Sequence, residues 1–287
     1  MTGGTPYGRP LAERAPDRDG LELDQLIVTM GPWLPAFPPG LRLVVKLAGD
    51  LIREVEPGPS PLFGVASSPD IFGAALTAPV LIVDLEMARA RHHLRRLAEA
   101  LRVHDLESLE FRALRLAREL RPGDREMAQD LAQRIERSRL YSWVLNGVGV
   151  VDPGRVAGLG PLARATGIAD DARLDDPAYR ELGFEPLTLQ GGDTATRWRQ
   201  RLNEVMQALD LAGRAGDRTT GGHGVVESPR GRLAVTEPNP AIRLLGLVPA
   251  TLEGLEWGDA VATLLSLDLD PVESGAETAA AGEEHAA

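Results

Sequence analysis

The feature that most restricts this 287-residue chain is the complete absence of cysteine. A disulfide framework, a thiolate zinc site, iron–sulfur ligation and a thiol nucleophile are therefore excluded for this chain. Its fold has to be stabilised by an apolar core instead. The length of the chain is enough for one large domain or two small ones, and apolar residues, which make up 43% of the sequence, can build a sizeable core.

The charge balance of the chain limits the kinds of molecule that it can bind. The chain carries 42 acidic and 31 basic side chains, a formal net charge of -11. No net positive field is available for nucleic acid or anionic lipid, so we expect no nucleic-acid partner. No apolar run reaches the ~20 residues that cross a bilayer, and residues 1–19 lack an apolar signal core. These features predict a protein on the cytoplasmic side.

Composition divides the chain into a body and two ends. Residues 1–20 and 272–287 are poor in large apolar side chains, so we expect mobile tails there and a single domain over 21–271. Alternating apolar residues on both sides of Gly49-Asp50 predict a β-hairpin over 41–55, which pairs also with 21–30. Residues 57–69 hold four prolines and two glycines, which excludes a regular element.

Helical periodicity dominates the rest of the body. We predict helices over 79–103, 107–120, from Asp124 to about Trp143, over 194–211 after an Asp193 cap, and over 257–267. Between them, 147–173 is a long connection, and we predict a second hairpin over 225–233 and a further strand over 241–249. The predicted fold class is α+β: a central bundle of four or more helices with peripheral antiparallel β-hairpins.

The spacing of residues along the sequence matches no common catalytic motif. The sequence contains no G-x-S-x-G elbow, P-loop or H-E-x-x-H, and Gly147-Val-Gly149 follows a helix and lacks the third glycine of a dinucleotide loop. His92 and His93 are adjacent and point about 100° apart on a helix, which is poor geometry for chelating one ion. We therefore predict no metal site.

Two polar groups of residues remain. Glu86, Arg89 and His93 share one face of the 79–103 helix, and spacing alone favours a solvated charged stripe. In the 194–211 helix, spacing alone favours an N-capped amphipathic helix with intrahelical ion pairs. Its polar residues are Asp193, Arg197, Arg201 and Glu204.

Seven motifs in order over 27–268 resemble the D (49-kDa) subunit of NADH-quinone oxidoreductase, which shares its fold with the large subunit of nickel–iron hydrogenases. The resemblance begins with Gly31-Pro32-Trp33-Leu34-Pro35 and the following hairpin. It continues with Glu86-x-x-Arg89-x-x-x-His93-Leu94, Arg139-Leu140-Tyr141, Gly160-Pro161-Leu162-Ala163-Arg164 with Asp171-x-Arg173, the Asp193 to Glu204 pattern, Glu227-Ser228-Pro229-Arg230-Gly231, and Ser266-Leu267-Asp268.

The chain also departs from this family. Two histidines of the first family motif are replaced by Leu34 and Pro38, so the loop with Gly31 and Pro32 resembles a degenerate quinone pocket. The stretch that carries the quinone-binding tyrosine in the family is much shortened here. Asn146 stands where the family has an arginine. The loss of the histidines and of the tyrosine removes proton donors, which weakens an expectation of ordinary quinone reduction.

The resemblance implies roles for particular residues. His93 would approach an iron–sulfur cluster held by a partner, with Arg89 paired to Glu86 in that seam. His93 and Tyr141 are the candidate catalytic residues. Structural roles are implied for Asp193, Arg197, Arg201, Glu204, Arg230 and Asp268. Without the nickel-binding cysteines, this chain cannot act as a hydrogenase.

The resemblance implies a peripheral-arm subunit of a complex I-like or hydrogenase-related redox assembly, on the cytoplasmic side of the membrane. Its partners would be an iron–sulfur small subunit and membrane subunits. Quinone and the partner-held cluster are the implied cofactors, and the chain alone would bind none. A non-catalytic scaffold of such an assembly is the alternative, and a free-standing enzyme of another kind ranks last. A filled cavity beside 31–40 would favour the scaffold, and an open channel at His93 or Tyr141 would favour chemistry.

Overall fold

A four-stranded antiparallel sheet forms one side of the molecule. The computed structural model describes residues 12–58, 70–222 and 224–270. The strands lie in the order β1 to β4. They span Arg14–Pro16 (β1), Glu22–Met30 (β2), Leu43–Ala48 (β3) and Leu51–Pro57 (β4). The predicted hairpin, its turn at Gly49-Asp50 and its pairing with β2 are confirmed.

Strand β1 lies inside the predicted N-terminal tail, so the tail boundary at residue 20 is wrong. Ala15 is only 4% exposed and pairs with Leu23 of β2. A short strand that buries one small side chain and completes backbone hydrogen bonds does not need the large apolar groups that the prediction looked for. Residues 1–11, 59–69 and 271–287, which include the rest of both predicted tails, lie outside the described residues.

Helices form the centre of the molecule. They span Ile71–Thr77 (α1), Ile82–Val103 (α2), Glu107–Glu119 (α3), Arg125–Arg137 (α4), Pro161–Arg164 (α5), Pro177–Glu181 (α6), Thr194–Ala215 (α7), Pro240–Leu245 (α8), Val248–Leu252 (α9) and Trp257–Leu267 (α10). The second hairpin is β5 (Val225–Ser228) with β6 (Gly231–Ala234), as predicted. The α+β class with a helical bundle and peripheral hairpins is confirmed.

The long helices α2 and α7 run antiparallel through the core. At one end the Ile82 amide donates to the Arg218 carbonyl at 2.9 Å, and in the middle His93 faces Glu204. Leu94 and Leu101 of α2 are fully buried, as their spacing predicts. The C-terminus of α2 and the N-terminus of α7 consequently lie at the same end of the bundle.

Three helix boundaries differ from the prediction. Helix α2 begins at Ile82, not at Pro79, because Val80 is hydrogen-bonded to Thr220 in an extended segment. Helix α4 ends at Arg137, because Arg139 adopts a left-handed φ of 62° and a π-helical turn follows. Helix α7 continues past Leu211 to Ala215 and stops at a glycine with positive φ.

The predicted strand over 241–249 is wrong. Helices α8 and α9 occupy these residues. The Asn239 side chain accepts from the Ala241 amide at 2.9 Å, and Pro240 fills the first helical position. An Asn-Pro start is a helix N-terminal signal, and it overrides the apolar run that suggested a strand.

Gly31 closes the corner between β2 and the 31–40 loop. Its φ is +83°, and a Cβ here would lie 1.9 Å from the Leu41 carbonyl oxygen. We expect Gly31→Ala to lower the free energy of unfolding by at least about 2–3 kcal/mol, from left-handed strain plus backbone displacement. Gly123→Ala is the control, because Gly123 has φ +88° with nothing within 4 Å of its Cβ position. If urea unfolding gives equal losses of unfolding free energy for the two variants, the close approach to the Leu41 carbonyl adds nothing to the cost of Gly31→Ala.

Candidate functional site

Seven charged side chains lie together in the interior, between α2, α5, α7 and β5. We call them the buried ion network, and each is at most 4% exposed. The members are Glu86, Arg89, Arg164, Asp171, Arg173, Glu204 and Glu227. Charges with so little solvent access require partners with good geometry.

Arg164 is the centre of this network. It donates to both oxygens of Glu204, at 2.8 and 2.9 Å, and to Glu227 Oε1 at 2.8 Å. Its Nη1 also lies 2.9 Å from Asp171 Oδ2. The short helix α5 presents Arg164 to α7, so one guanidinium contacts carboxyl groups from three separate segments.

Glu86 forms the second centre. Arg89 Nε and Arg173 Nη1 each lie 3.2 Å from Glu86 Oε2, and the Tyr179 hydroxyl donates to Oε1 at 2.6 Å. Arg89 does pair with Glu86, but the pair is buried inside this chain and does not lie in an exposed seam. A solvated stripe is wrong, because Glu86, Arg89 and His93 are each at most 1% exposed and covered by other segments of the same chain.

The network shifts the pKa values of its carboxyl groups in opposite directions. Burial opposes ionisation of Asp171, but Arg173 and then Arg164 outweigh it and hold its pKa below the ordinary value. Burial is likewise outweighed at Glu204 by Arg164, which lowers that pKa. At Glu227, burial and the Asp171 charge prevail over Arg164 and raise the pKa to about 7. The network therefore holds one carboxyl group that favours a proton.

The polar residues of α7 do not form the predicted intrahelical ion pairs. Arg197 donates to neutral acceptors: the Ser266 hydroxyl at 2.8 Å, the Gly149 and Gly192 carbonyls at 2.7 and 2.6 Å, and the Thr194 hydroxyl at 2.8 Å. Glu204 pairs with Arg164 of α5. The predicted Asp193 cap is confirmed, since its side chain accepts from the Thr196 amide at 2.7 Å.

Asp268, at the C-terminal end of α10, contacts α2 and the β5–β6 turn. It lies 2.6 Å from His92 Nε2 and 3.1 Å from Arg96 Nε, both on α2. Its carbonyl accepts from Arg230 of the β5–β6 turn at 2.9 Å. Burial opposes ionisation of Asp268, but His92 and Arg230 outweigh it and keep its pKa well below the ordinary value.

One group of possible metal donors lies here. Ligand atoms of His92, His93 and Asp268 lie within 4.8 Å of one another. Sequence spacing considered the two histidines alone and missed Asp268, which only tertiary packing brings to them. Arg96 and Arg230 already lie against this carboxylate, so the local charge opposes a divalent cation. We assign the group to structural pairing.

The residues of the predicted pocket loop differ in their exposure. Phe37 and Pro38 are buried and Leu34 packs against the core, whereas Trp33 is 69% exposed. His93 and Tyr141 are at most 1% exposed. A groove of about 1210 Å³ lies between α3 and α4, and one of about 480 Å³ between α4 and α7. Neither groove is lined by His93, Tyr141 or the loop.

Part of the chain is similar in sequence to known proteins. Residues 112–243 match the family model of the respiratory-chain NADH dehydrogenase 49 Kd subunit. The second NADH-quinone oxidoreductase D subunit of Salinispora tropica is 35% identical over 99 residues, 33% of this chain and 26% of that protein. The first such D subunit of Chloroherpeton thalassium is 33% identical over 88 residues, 29% of this chain and 20% of that protein. The matches thus span about a quarter of these relatives' length.

A solved structure matches over a longer range. A chain of the membrane-bound sulfane sulfur reductase, an archaeal respiratory membrane complex, superposes with a TM-score of 0.58 at 18% identity. The match covers 88% of this chain and 98% of that chain, which confirms the predicted fold. Within the described residues, no helix has the length and apolarity to cross a bilayer. Residues 112–243 of the chain are therefore similar in sequence to the 49 Kd, or D, subunit family of respiratory NADH dehydrogenases, and the fold of the chain is that of the reductase chain.

Proposed function

We propose that the chain is a peripheral-arm subunit of a complex I-like or hydrogenase-related membrane redox assembly, with a structural role and no electron carrier of its own. The observation that carries this proposal is the buried ion network. Motif residues Glu86, Arg89, Arg164, Glu204 and Glu227 all take part in it, so the chain keeps the residues that fix the architecture.

The loop that resembles the family's quinone-binding motif does not fit a quinone-reducing site in this chain. Leu34 and Pro38 offer no proton donor, and both contact the protein interior. The two candidate catalytic residues, His93 and Tyr141, are buried, and neither lines one of the two grooves. We therefore derive no proton or electron step at quinone, and the scaffold role is the stronger alternative.

An iron–sulfur cluster, if one lies near this chain, belongs to a partner. The chain has no cysteine, so the electron carrier would be held by a small subunit packed against it. Burial holds the pKa of His93 well below its ordinary value, so its ring is neutral, and His93 would act on the cluster potential from inside the fold only through the dipole of that ring.

Exposed apolar residues at one end of the bundle indicate where a partner docks. Trp33 is 69% exposed, Trp143 74% and Val150 57%. Arg102 at the end of α2 donates to the Pro35 carbonyl, and the first amide of α7 donates to the Val148 carbonyl. Because these helix ends coincide, both exposed tryptophans lie at the same end of the bundle. An apolar end of this kind is typical of a protein interface.

Affinity purification of the tagged full chain from its native host tests the proposal. We expect an iron–sulfur protein and membrane proteins to co-purify, with the cluster signal in electron paramagnetic resonance absent from the isolated chain. A monomer that elutes without a partner, or that carries its own redox centre, would contradict the proposal.

We expect Trp143→Glu to reduce recovery of the partners at least tenfold while leaving the melting temperature within a few degrees of wild type. A charge at an exposed site costs little in the isolated chain, but burying it at an interface without a partner charge costs several kcal/mol. The matched control is Val235→Glu, since Val235 is 69% exposed and hydrogen-bonded to Gly224 near α1, at the other end of the bundle. Equal recovery with both variants would place the interface elsewhere.

A further inference from the structure

The C-terminal part of strand β2 has a backbone edge that no described residue covers. Strand β2 pairs with β3 over residues 25–30, but with β1 only over residues 22–24. One further bond, from the Gln25 amide to the Glu13 carbonyl at 2.7 Å, ends the pairing with β1 among the described residues. Within the described structure, the side of β2 that faces away from β3 is therefore open over residues 26–30.

The register shows which backbone groups of this open edge are unpaired. In an antiparallel sheet, the N–H and C=O groups of one residue point to the same side, and successive residues alternate. Since the Gln25 amide is bonded on the β1 side, the backbone groups of Ile27 and Thr29 point to that side as well. Those of Leu26 and Val28 point towards β3. The open edge thus offers two donors and two acceptors in the spacing of a β-ladder.

The side chains along the open edge are apolar and exposed on both faces of the sheet. Leu26 is 60% exposed and Ile27 is 73% exposed, and neighbouring side chains of a strand lie on opposite faces. Residues 25–30 include no charged residue and no proline. Proteins protect exposed sheet edges with charges, prolines or a covering segment. None of these protections is found at the open edge in the described structure.

The opposite edge of the same sheet is protected. Strand β4 carries three charged residues and a proline, which are Arg53, Glu54, Glu56 and Pro57. The start of β4 is also covered, since the Ile52 amide donates to the Leu255 carbonyl at 2.9 Å and the Gly254 amide donates to the Ile52 carbonyl at 2.8 Å. The two edges of one sheet therefore differ, and the open edge of β2 has the composition of a strand that is paired on both sides.

The groups on the open edge specify the kind of molecule that covers it. Backbone donors and acceptors in ladder spacing are satisfied by another β-strand, and exposed apolar side chains on both faces match apolar residues in that strand. Residues 1–11, which precede β1, are poor strand formers, because five of these eleven residues are glycine or proline. A strand from a partner chain fits the edge better.

The open edge leads into the end of the bundle at which the proposed partner docks. Trp33 follows Met30 by three residues, so it lies at most about 11 Å from the end of the edge. Arg102 of α2 is hydrogen-bonded to the Pro35 carbonyl of the same loop. We propose that a partner subunit adds an apolar β-strand to residues 26–30 of β2. This inference rests on the proposed function, because the strand comes from a subunit of the same assembly.

Amide hydrogen exchange at single-residue resolution tests the added strand, in the isolated full chain and in the assembly purified from the native host. In the isolated chain, we expect the Ile27 and Thr29 amides to exchange rapidly. In the assembly, their exchange should slow by about a hundredfold or more, since a paired amide exchanges only when the strand opens. The Leu26 and Val28 amides, which face β3, should be protected in both samples and are the internal control.

A proline at residue 27 gives a second readout. Ile27→Pro removes one outward N–H but leaves the bonds to β3 in place, because proline is tolerated on an edge strand where the N–H faces solvent. We expect this variant to recover about tenfold less partner, the effect of one lost hydrogen bond. Ile27→Val keeps the donor and should recover the wild-type amount. If Ile27→Pro does not fold, the exchange rates of the wild-type chain decide.

Two results would overturn the added strand. Slow exchange of the Ile27 and Thr29 amides in the isolated chain would show that residues 1–11 cover the edge, or a second copy if the protection rises with protein concentration. Rapid exchange of both amides in an assembly that contains the partners would also overturn it, and would leave the proposed function intact. A wild-type chain with which no partner co-purifies contradicts the proposed function itself.

Discussion

Replacement of Arg164 by methionine is expected to lower the free energy of unfolding by about 3–5 kcal/mol. The substitution keeps an unbranched apolar side chain but leaves Glu204, Glu227 and Asp171 without their shared guanidinium. Carboxylates at most 4% exposed cannot recover this interaction from water. The loss of stability in the variant is therefore dominated by uncompensated charge.

Urea unfolding at pH 7 measures this loss, and Arg199→Met is its control. Arg199 makes a two-point contact with Glu136, at 2.6 and 3.0 Å, so the geometry resembles that of Arg164 with Glu204. The side chains of this pair are 33% and 45% exposed, so we expect a loss below about 1 kcal/mol. Equal losses in the two variants would show that burial does not set the strength of the Arg164 contacts.

The parts of the fold that the sequence predicts are those with a local signal. The β3–β4 hairpin follows from alternation around Gly49-Asp50, and the start of α7 follows from the Asp193 cap. The apolar run at 241–249 carries no such decisive signal, and only the Asn239 cap distinguishes helix from strand there. The start of α2 depends on pairing with Thr220, which is distant in sequence and invisible to periodicity.

The site is predictable to a lesser degree. Helical spacing places Glu86, Arg89 and His93 on one face, but spacing does not say what that face meets. Charged faces are usually solvated, and this one is buried because Arg164 and Arg173 come from the long connection over 147–173. Sequence reasoning left both arginines outside the candidate site. The signal that could have found them is a set of charged residues in a glycine-rich connection, which needs counter-charges if it is buried.

The stability of the chain is expected to depend on pH through buried groups with opposite effects. Burial lowers the pKa values of His93 and His104, so the stability that they contribute is lost as the pH falls below about 6.5. Asp171, Glu204 and Asp268 have lowered pKa values in the folded state, so the stability they contribute is present above about pH 4 and is lost as the pH falls below it. Glu227 behaves in the opposite way. Its folded pKa of about 7 exceeds its unfolded value, so the folded state binds more protons and stability falls as the pH rises towards 7.

Urea unfolding at pH 5 and pH 8 separates these contributions. At about 1.4 kcal/mol per pKa unit, the protonation of Glu227 alone makes the chain on the order of 3 kcal/mol less stable at pH 8 than at pH 5. Glu227→Gln removes this titrating group, so the variant should lose the Glu227 contribution and become less stable at pH 5 than at pH 8, because the lowered pKa values of His93 and His104 then dominate. A difference in stability between pH 5 and pH 8 that Glu227→Gln leaves unchanged would mean that Arg164 and Arg173 keep Glu227 ionised throughout.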